Sequence, residues 1–112
     1  SKVAILGYAY AGNSDDSRNT PTQMLMDLLD EAEIGYSIHD AYIKTYKLSL
    51  EDIVKGAQAI VLMADHDQYK KINLSRLKKL MKPKPILIDG RNCFDKNKAK
   101  KFGFVYKGVG NI

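Results

Sequence analysis

The sequence has one residue that could form a disulfide and no segment long enough to span a membrane. Its single cysteine, Cys93, excludes an internal disulfide and is typical of a reducing cytoplasm. No apolar run approaches the roughly 20 residues that cross a bilayer, so no membrane partner is expected. The first residues, "SKVAIL", have neither the apolar region nor the cleavage site of a secretion signal. Because the chain begins without methionine and almost at once in a predicted strand, we expect it to be a fragment of a longer protein.

Two phosphate-binding motifs are nearly present, but each lacks one essential residue. "GYAYAGNS", from Gly7, matches the P-loop pattern except that Asn13 stands where a lysine must reach the terminal phosphates. The dinucleotide fingerprint fails at Ala9, where a glycine would let the backbone approach a pyrophosphate. Asp40 ends a predicted strand where an acidic residue could hold a ribose, but such an aspartate is as often a turn former. NTP hydrolysis and a conventional NAD site are therefore disfavoured.

The net charge of +5 comes from 18 basic against 13 acidic residues. Much of the excess lies in "RLKKLMKPK" and "DKNKAKKF", where helical spacing favours solvated helix faces. Basic residues are not interleaved with aromatic ones in any recognisable binding motif, so no nucleic-acid partner is expected. The milder inference is a general attraction for small molecules that carry phosphate.

Apolar runs and helical periodicity alternate along the chain. Strands are predicted at residues 3–6, 36–40, 59–65, 86–90 and 104–110, and helices at 20–32, 49–56, 73–81 and 95–102. The first helix has Thr20 at the N-cap position and Pro21 at the first helical position. One of its faces is predicted to be apolar through Met24, Leu25, Leu28, Leu29 and Ala32. This alternation predicts one α/β domain over residues 1–112, a Rossmann-like three-layer sandwich with a mostly parallel sheet.

Three polar segments follow predicted strands: "GYAYAGNSDDSRNTP", "ADHDQY" and "DGRNCFD". Ligands of open α/β sheets bind beyond the carboxyl ends of the strands, so neighbouring strands would bring these segments into one crevice. The helix start near Thr20 offers free N–H groups, and Arg91 offers a planar fork that matches phosphate oxygens. The sequence therefore predicts a phosphate site at this edge, with at least one of Tyr8 and Tyr10 exposed to it.

Other polar residues have less specific interpretations. Asp15 and Asp16 stand beside Arg18 and are predicted to stiffen the first polar segment, which we also call the first loop. A catalytic role is disfavoured, because paired catalytic carboxylates usually face each other across a substrate. His39, inside a strand, is predicted to be packed, whereas His66, in the second loop, remains a candidate for ligand contact. Cys93 is interpreted as a buried or half-buried free thiol. No metal site is predicted.

"LGYAYAGNSDDSRNTP", a later "HD" and "LIDGRNCFD", in that order, resemble the C-terminal domain of the UDP-glucose/GDP-mannose dehydrogenase family. Within the family, the resemblance is closest to the dehydrogenases of UDP-N-acetylglucosamine and UDP-N-acetylmannosamine. It implies an N-terminal domain that binds NAD, a long connecting helix that mediates dimerisation, and a C-terminal domain that holds UDP. It also implies oxidation of the sugar's primary alcohol to a carboxylate in two NAD-dependent steps, through a cysteine thiohemiacetal.

The resemblance assigns roles to residues of the first and last polar segments. Tyr10 keeps an aromatic of the substrate loop, Ala11 replaces its lysine, and Arg91 matches the arginine placed against the substrate. The expected substrate-binding residues are Tyr10, Ala11, Gly12, Asn13 and Arg91, and the expected structural residues of the loop are Asp15, Asp16, Arg18 and Pro21. The family's catalytic cysteine, lysine and aspartate belong to segments that precede this domain, so no catalytic residue is expected here.

We therefore expect the chain to be a domain that binds the UDP portion of a nucleotide sugar within an NAD-dependent UDP-sugar 6-dehydrogenase. Its sugar would be a UDP-N-acetylhexosamine or UDP-glucose, NAD would be bound by the N-terminal domain, and the full-length protein would be a homo-oligomer. By itself the domain is expected to catalyse nothing. The alternative is a non-catalytic nucleotide-binding or assembly module on the same sheet, which the absence of the lysine at Ala11 favours. A conventional NAD- or CoA-binding domain is a third possibility.

Overall fold

The computed structural model describes residues 2–8, 21–40, 48–64, 66–90 and 94–108. They contain the five strands β1 (Lys2–Leu6), β2 (Gly35–His39), β3 (Ala59–Leu62), β4 (Ile86–Asp89) and β5 (Val105–Gly108). All four strand pairs are parallel, and the order across the sheet is β2-β1-β3-β4-β5. The predicted Rossmann-like α/β fold is confirmed, and every pairing in the described sheet is parallel.

The described residues also contain five helices between the strands: α1 (Pro21–Glu31), α2 (Leu50–Val54), α3 (Asp67–Lys70), α4 (Leu74–Leu80) and α5 (Lys96–Lys101). The predicted start of α2 is confirmed, since the Ser49 side chain accepts a hydrogen bond from the N–H of Asp52. Asn73 and Asp95 cap α4 and α5 in the same way. The α3 helix was not predicted, because its four residues are too few to show a helical period. Among the described residues, no helix is long and apolar enough to cross a membrane.

The register of the strands separates two sides of the sheet. On one side, Ala4, Ile60 and Leu87 lie side by side and join the main core with residues of α2, α4 and α5. On the other side, Ile5, Val61 and Ile88 lie side by side. The α1 helix lies on this second side, where the Tyr36 hydroxyl of β2 reaches the carboxylate of Asp30. Because β1 to β2 runs one way across the sheet and β3 to β5 the other, right-handed crossovers put α1 opposite the remaining helices.

The single apolar face predicted for α1 is only partly directed at the sheet. Met24 and Leu28 are 70% and 61% exposed, whereas Leu25 and Leu29 are half-buried. The buried residue at the start of the helix is Thr22, whose hydroxyl donates to the carbonyl of Gly7. Positions 24 and 28 point away from position 22 on a helix of 3.6 residues per turn. Fixing Thr22 against β1 therefore turns Met24 and Leu28 outward.

Candidate functional site

The carboxyl ends of β1, β3 and β4 lie next to one another at one edge of the sheet. This order confirms that the three polar segments predicted to form a crevice leave neighbouring strands. From β1 the chain proceeds to β2 on one side, and from β3 it proceeds to β4 on the other. A crevice at such a reversal of direction is the usual ligand site of an open parallel sheet.

Asp40, directly after β2, anchors the beginning of the first polar segment. Its carboxylate is fully buried and accepts a 2.8 Å hydrogen bond from the N–H of Tyr8. The Nε2 atom of His66 lies 3.1 and 3.2 Å from its two oxygens. Asp40 therefore ties together the chain that follows β1, β2 and β3, and it is not turned outward to hold a ribose.

His66 is fully buried, which corrects the idea that this histidine could contact a ligand from the second loop. Its imidazole packs against the ring of Tyr69, with 5.3 Å between the ring centroids. Together with Asp40 and Tyr69, His66 forms a buried polar layer beneath the crevice edge. His66 is the N-cap residue of α3, and no short-range sequence pattern predicts that its ring is buried.

His39 and Tyr69 form a second buried pair in this layer, which confirms the prediction that His39 is packed. The Tyr69 hydroxyl donates to the backbone carbonyl of His39 across 2.8 Å, and it lies 2.8 Å from Nδ1 of the same residue. Since a carbonyl can only accept, the hydroxyl hydrogen points there and Nδ1 carries the hydrogen of the neutral ring.

The surroundings of His39 and Tyr69 favour the uncharged form of each side chain. Burial lowers the pKa of His39, and the neighbouring His66 lowers it further, although the charges of Asp40 and Glu51 act in the opposite direction. Burial, aided by the charge of Asp40, raises the pKa of Tyr69 far above its ordinary value. Both side chains therefore stay uncharged at neutral pH and serve the packing beneath the edge.

Gly7 brings the end of β1 close to the chain after β3. Its φ is +98°, and a Cβ added there would lie 2.5 Å from the Cβ of Ala64. The N–H of Gly7 donates to the carbonyl of His39 across 2.7 Å. Only glycine permits both this backbone conformation and this approach without strain.

The first polar segment begins and ends at the same place. The hydroxyl of Thr22, at the start of α1, donates to the carbonyl of Gly7 across 3.0 Å. Nearby, the hydroxyl of the half-buried Tyr8 donates to Oε1 of Gln23 across 3.0 Å. Gly7 and Tyr8 therefore contact the first turn of α1, and the N-terminus of α1 lies beside the carboxyl end of β1.

Asp89, the last residue of β4, plays the corresponding role for the third segment. Its buried carboxylate accepts hydrogen bonds from the N–H of Phe94 at 2.8 Å and from the hydroxyl of Tyr106 at 2.9 Å. The N–H of Gly90 donates to the carbonyl of Leu62 across 2.9 Å. Both ends of the short segment that contains Arg91 are therefore fixed to the sheet edge.

Most of the residues predicted to bind or shape the ligand lie outside the described residues: Tyr10, Ala11, Gly12, Asn13, Asp15, Asp16, Arg18, Arg91 and also Cys93. Pro21 begins α1, at the first helical position as predicted. Over the described ranges, no group of three or more His, Cys, Asp or Glu side chains could hold a metal ion.

The anchoring roles of Asp40 and Asp89 were not predicted from the sequence. A usable signal was present, because each is a single acidic residue at the carboxyl end of a predicted strand, in "YSIHD" and "ILIDG". The hydrogen-bond partners could not be predicted, since Tyr8 and Tyr106 lie 32 and 17 residues away along the chain.

A separate cavity of about 360 Å³ lies between the start of α4 and α5. Lys70, Asn73, Phe94, Asp95 and Lys98 are among the residues that line it. The lysines of α4 and α5 are exposed, as predicted for solvated basic faces.

Residues 4–96 match the UDP-glucose/GDP-mannose dehydrogenase family, UDP binding domain. A UDP-N-acetyl-D-mannosamine dehydrogenase of Pyrococcus horikoshii is 37% identical to the chain over 108 residues. A UDP-glucose 6-dehydrogenase of Bacillus subtilis is 29% identical over 119 residues. A solved structure of an NDP-N-acetyl-D-galactosaminuronic acid dehydrogenase from Methanosarcina mazei matches with a TM-score of 0.92 and 40% identity.

These similarities extend over nearly the whole chain but over a small part of each relative. They cover 96% of the chain for both sequence relatives and 98% for the solved structure. The shares of the relatives are 25%, 27% and 24% in the same order. The chain therefore spans about a quarter of the length of these dehydrogenases.

Proposed function

The chain belongs to the UDP-glucose/GDP-mannose dehydrogenase family, and on that basis we propose that it binds the UDP portion of a nucleotide sugar. The observation that carries the proposal is the contact at the sheet edge, where Thr22 donates to the carbonyl of Gly7 across 3.0 Å. This bond sets the N-terminus of α1, a helix of 11 residues, beside the end of β1. Free N–H groups and partial positive charge at such a position favour an anion.

We assign the diphosphate to the backbone N–H groups of residues 10–13 and to the guanidinium of Arg91. These two segments leave β1 and β4, which flank β3 in the sheet. Since neighbouring strands lie about 4.8 Å apart, the two strand ends are separated by roughly 10 Å. A diphosphate with an arginine side chain reaching toward it fits that gap. Asp15, Asp16 and Arg18 would stiffen the first loop, and Tyr10 would present its ring to the substrate.

The residues at this edge do not fit NAD. Ala9 takes the place of the glycine that would admit a pyrophosphate in a dinucleotide site. Asp40, the candidate for a ribose contact, is fully buried and holds the N–H of Tyr8. NAD is therefore assigned to another domain of the enzyme.

The role of this domain in the reaction is positioning. By fixing the diphosphate, it would hold the reacting carbon of the sugar at the catalytic groups of the remaining domains. Orientation of this kind is worth on the order of 7–11 kcal/mol of barrier in good cases. The chain alone is expected to bind UDP weakly and to catalyse nothing.

We also propose which enzyme contains this domain. We place the chain as the C-terminal domain of an NAD-dependent 6-dehydrogenase that acts on a UDP-N-acetylhexosamine or on UDP-glucose. The full-length enzyme would be a homo-oligomer in the cytoplasm, where a single free cysteine is stable.

Calorimetric titration with UDP, ADP and NAD tests this function. We expect UDP to bind in preference to the other two, and Arg91→Ala to weaken it by roughly 10- to 100-fold, as expected for a charged hydrogen bond. Arg76→Ala is the matched control, because Arg76 is exposed on α4 and should leave UDP affinity unchanged.

The alternative functions give different titrations. No binding of any nucleotide would favour the assembly module that Ala11 suggests, and a preference for NAD would favour a conventional dinucleotide domain. Turnover of NAD with a UDP-sugar by these 112 residues alone would contradict the assignment of catalysis to other domains.

A further inference from the structure

One side of the sheet is incompletely covered. On the α1 side, exposure increases across the register row from β1 to β4, where Ile5 is fully buried, Val61 is 8% exposed and Ile88 is half-buried. In the adjacent row, Val105 of β5 is 48% exposed. Purely parallel sheets are normally buried on both faces, so this gradient marks a part of the face that the described helices do not cover.

The topology explains why no described helix covers that part of the face. The α1 helix lies against β2, as the contact between Asp30 and Tyr36 shows, and it begins beside the end of β1, where Thr22 contacts Gly7. The crossovers from β2 to β3, β3 to β4 and β4 to β5 all run in the opposite direction across the sheet. Their right-handedness sends α2, α4 and α5 to the other side, where their residues form the main core.

The uncovered area has the size and chemistry of a helix contact. We call it the bare strip: Met63, Ile86, Ile88 and Val105, with Lys107 at its outer border. It extends from the end of β3 to β5, about 10 Å at the usual strand spacing, which is the diameter of one helix with its side chains. Its four central residues are apolar, and the exposed Lys107 favours an acidic neighbour.

A second apolar feature lies on the same side of the molecule. Met24 and Leu28 project from the outer face of α1, beside Asp27 and Glu31. Exposed apolar surface on one side of a small domain marks an interaction site.

We propose that an amphipathic helix from the remaining part of the same dehydrogenase packs across the bare strip and completes the third layer. This inference rests on the proposed function, since it assumes that the chain acts within a larger enzyme. About three quarters of each relative lies outside the region that the chain matches, so such an enzyme has ample chain to supply the helix. Its apolar stripe would face Ile88 and Val105, and an acidic residue would lie near Lys107.

Thiol labelling of Val105→Cys tests the docking. The variant is compared in the 112-residue chain and in the full-length enzyme that carries it. Leu48→Cys is the control, because Leu48 is 62% exposed and precedes α2, which lies on the opposite side of the sheet. Tryptic peptides 102–107 and 48–55 report the two sites separately from Cys93, which falls in peptide 92–96.

We expect Val105→Cys to react at least about tenfold more slowly in the full-length enzyme, with Leu48→Cys unchanged. Equal reactivity of Val105→Cys in both proteins would overturn the docking. Protection that appears already in the short chain and rises with its concentration would also overturn it, since a second copy would then cover the strip.

Carbene footprinting of Ile86 and Ile88 in the unsubstituted proteins makes the same comparison if the variant does not fold. UDP titration of the same samples tests the nucleotide function independently.

Discussion

Two buried carboxylates, Asp40 and Asp89, organise the edge where the nucleotide is proposed to bind. Each accepts a backbone N–H at 2.8 Å, from Tyr8 and from Phe94 respectively. A carboxylate that satisfies backbone donors in this way fixes a loop, and it leaves phosphate recognition to the positive groups around it. Asp40 and Asp89 can therefore lie close to a bound anion, because their carboxylates are buried and accept hydrogen bonds from backbone N–H groups.

Asp40→Ala should destabilise the domain strongly. The substitution leaves the N–H of Tyr8 and Nε2 of His66 without this acceptor in a buried setting. Hydrogen bonds to charged groups contribute about 1.5–3 kcal/mol each, so we expect the free energy of unfolding to fall by about 3 kcal/mol. Urea denaturation measures it. Asp27→Ala, at an exposed position of α1, is the control and should change the value by less than about 0.5 kcal/mol. Equal effects of the two substitutions would contradict the anchoring role.

The burial of His39 predicts a pH dependence of stability. Above the ordinary histidine pKa of about 6.5, the ring is neutral in both the folded and the unfolded chain, and its packing contributes fully. Since burial lowers the pKa of His39 in the folded state, the unfolded chain takes up the proton first as the pH falls below that value. The free energy of unfolding should then fall, by at most about 1.4 kcal/mol per pH unit.

Urea midpoints between pH 7.5 and 5.5 measure this dependence. His39→Gln should reduce the slope in that window, whatever its effect on stability at pH 7.5. A slope that is the same in His39→Gln and in the unsubstituted chain would assign the effect to other groups.

At the scale of whole elements, local patterns predicted most of the architecture. Apolar runs closed by polar or glycine residues located all five strands, and the side chain of Ser49 marked the start of α2. The rotation of α1 could not be predicted, because it depends on the contact between Thr22 and Gly7 rather than on helical periodicity. The candidate crevice could be predicted because the strand ends are visible in the sequence. The polar layer of His39, His66 and Tyr69 beneath it could not be predicted, because it depends on contacts between different elements.

The junction between β1 and the first loop gives a prediction at this scale. Gly7→Ala and Gly56→Ala both place a side chain at positive φ, at +98° and +75°, which costs about 1–2 kcal/mol. At Gly56 the added Cβ meets nothing within 4 Å, whereas at Gly7 it lies 2.8 Å from the backbone nitrogen of Ala64. We therefore expect Gly7→Ala to cost roughly 1–3 kcal/mol more than Gly56→Ala in thermal or urea unfolding. Equal losses would mean that the close approach of β1 to Ala64 does not constrain the edge.

Over the described part of the chain, the sheet has one densely packed side and one open side. The main core lies between the sheet and α2, α4 and α5, while α1 covers only part of the opposite side. The edge at the carboxyl ends of the strands is supported from the packed side by buried polar contacts. This arrangement suits a domain that holds a nucleotide at its edge and rests against a larger body through its open side.

The proposed function depends on a diphosphate held between the first polar segment and Arg91. Amide and guanidinium NMR spectra of the isotopically labelled chain during titration with UDP test it most directly. We expect saturable shifts of the backbone amides of residues 10–13, of the first turn of α1 and of the Arg91 guanidinium, with little change at Lys70 or Lys98. Shifts confined to the cavity between α4 and α5, or no saturable shift at all, would contradict it.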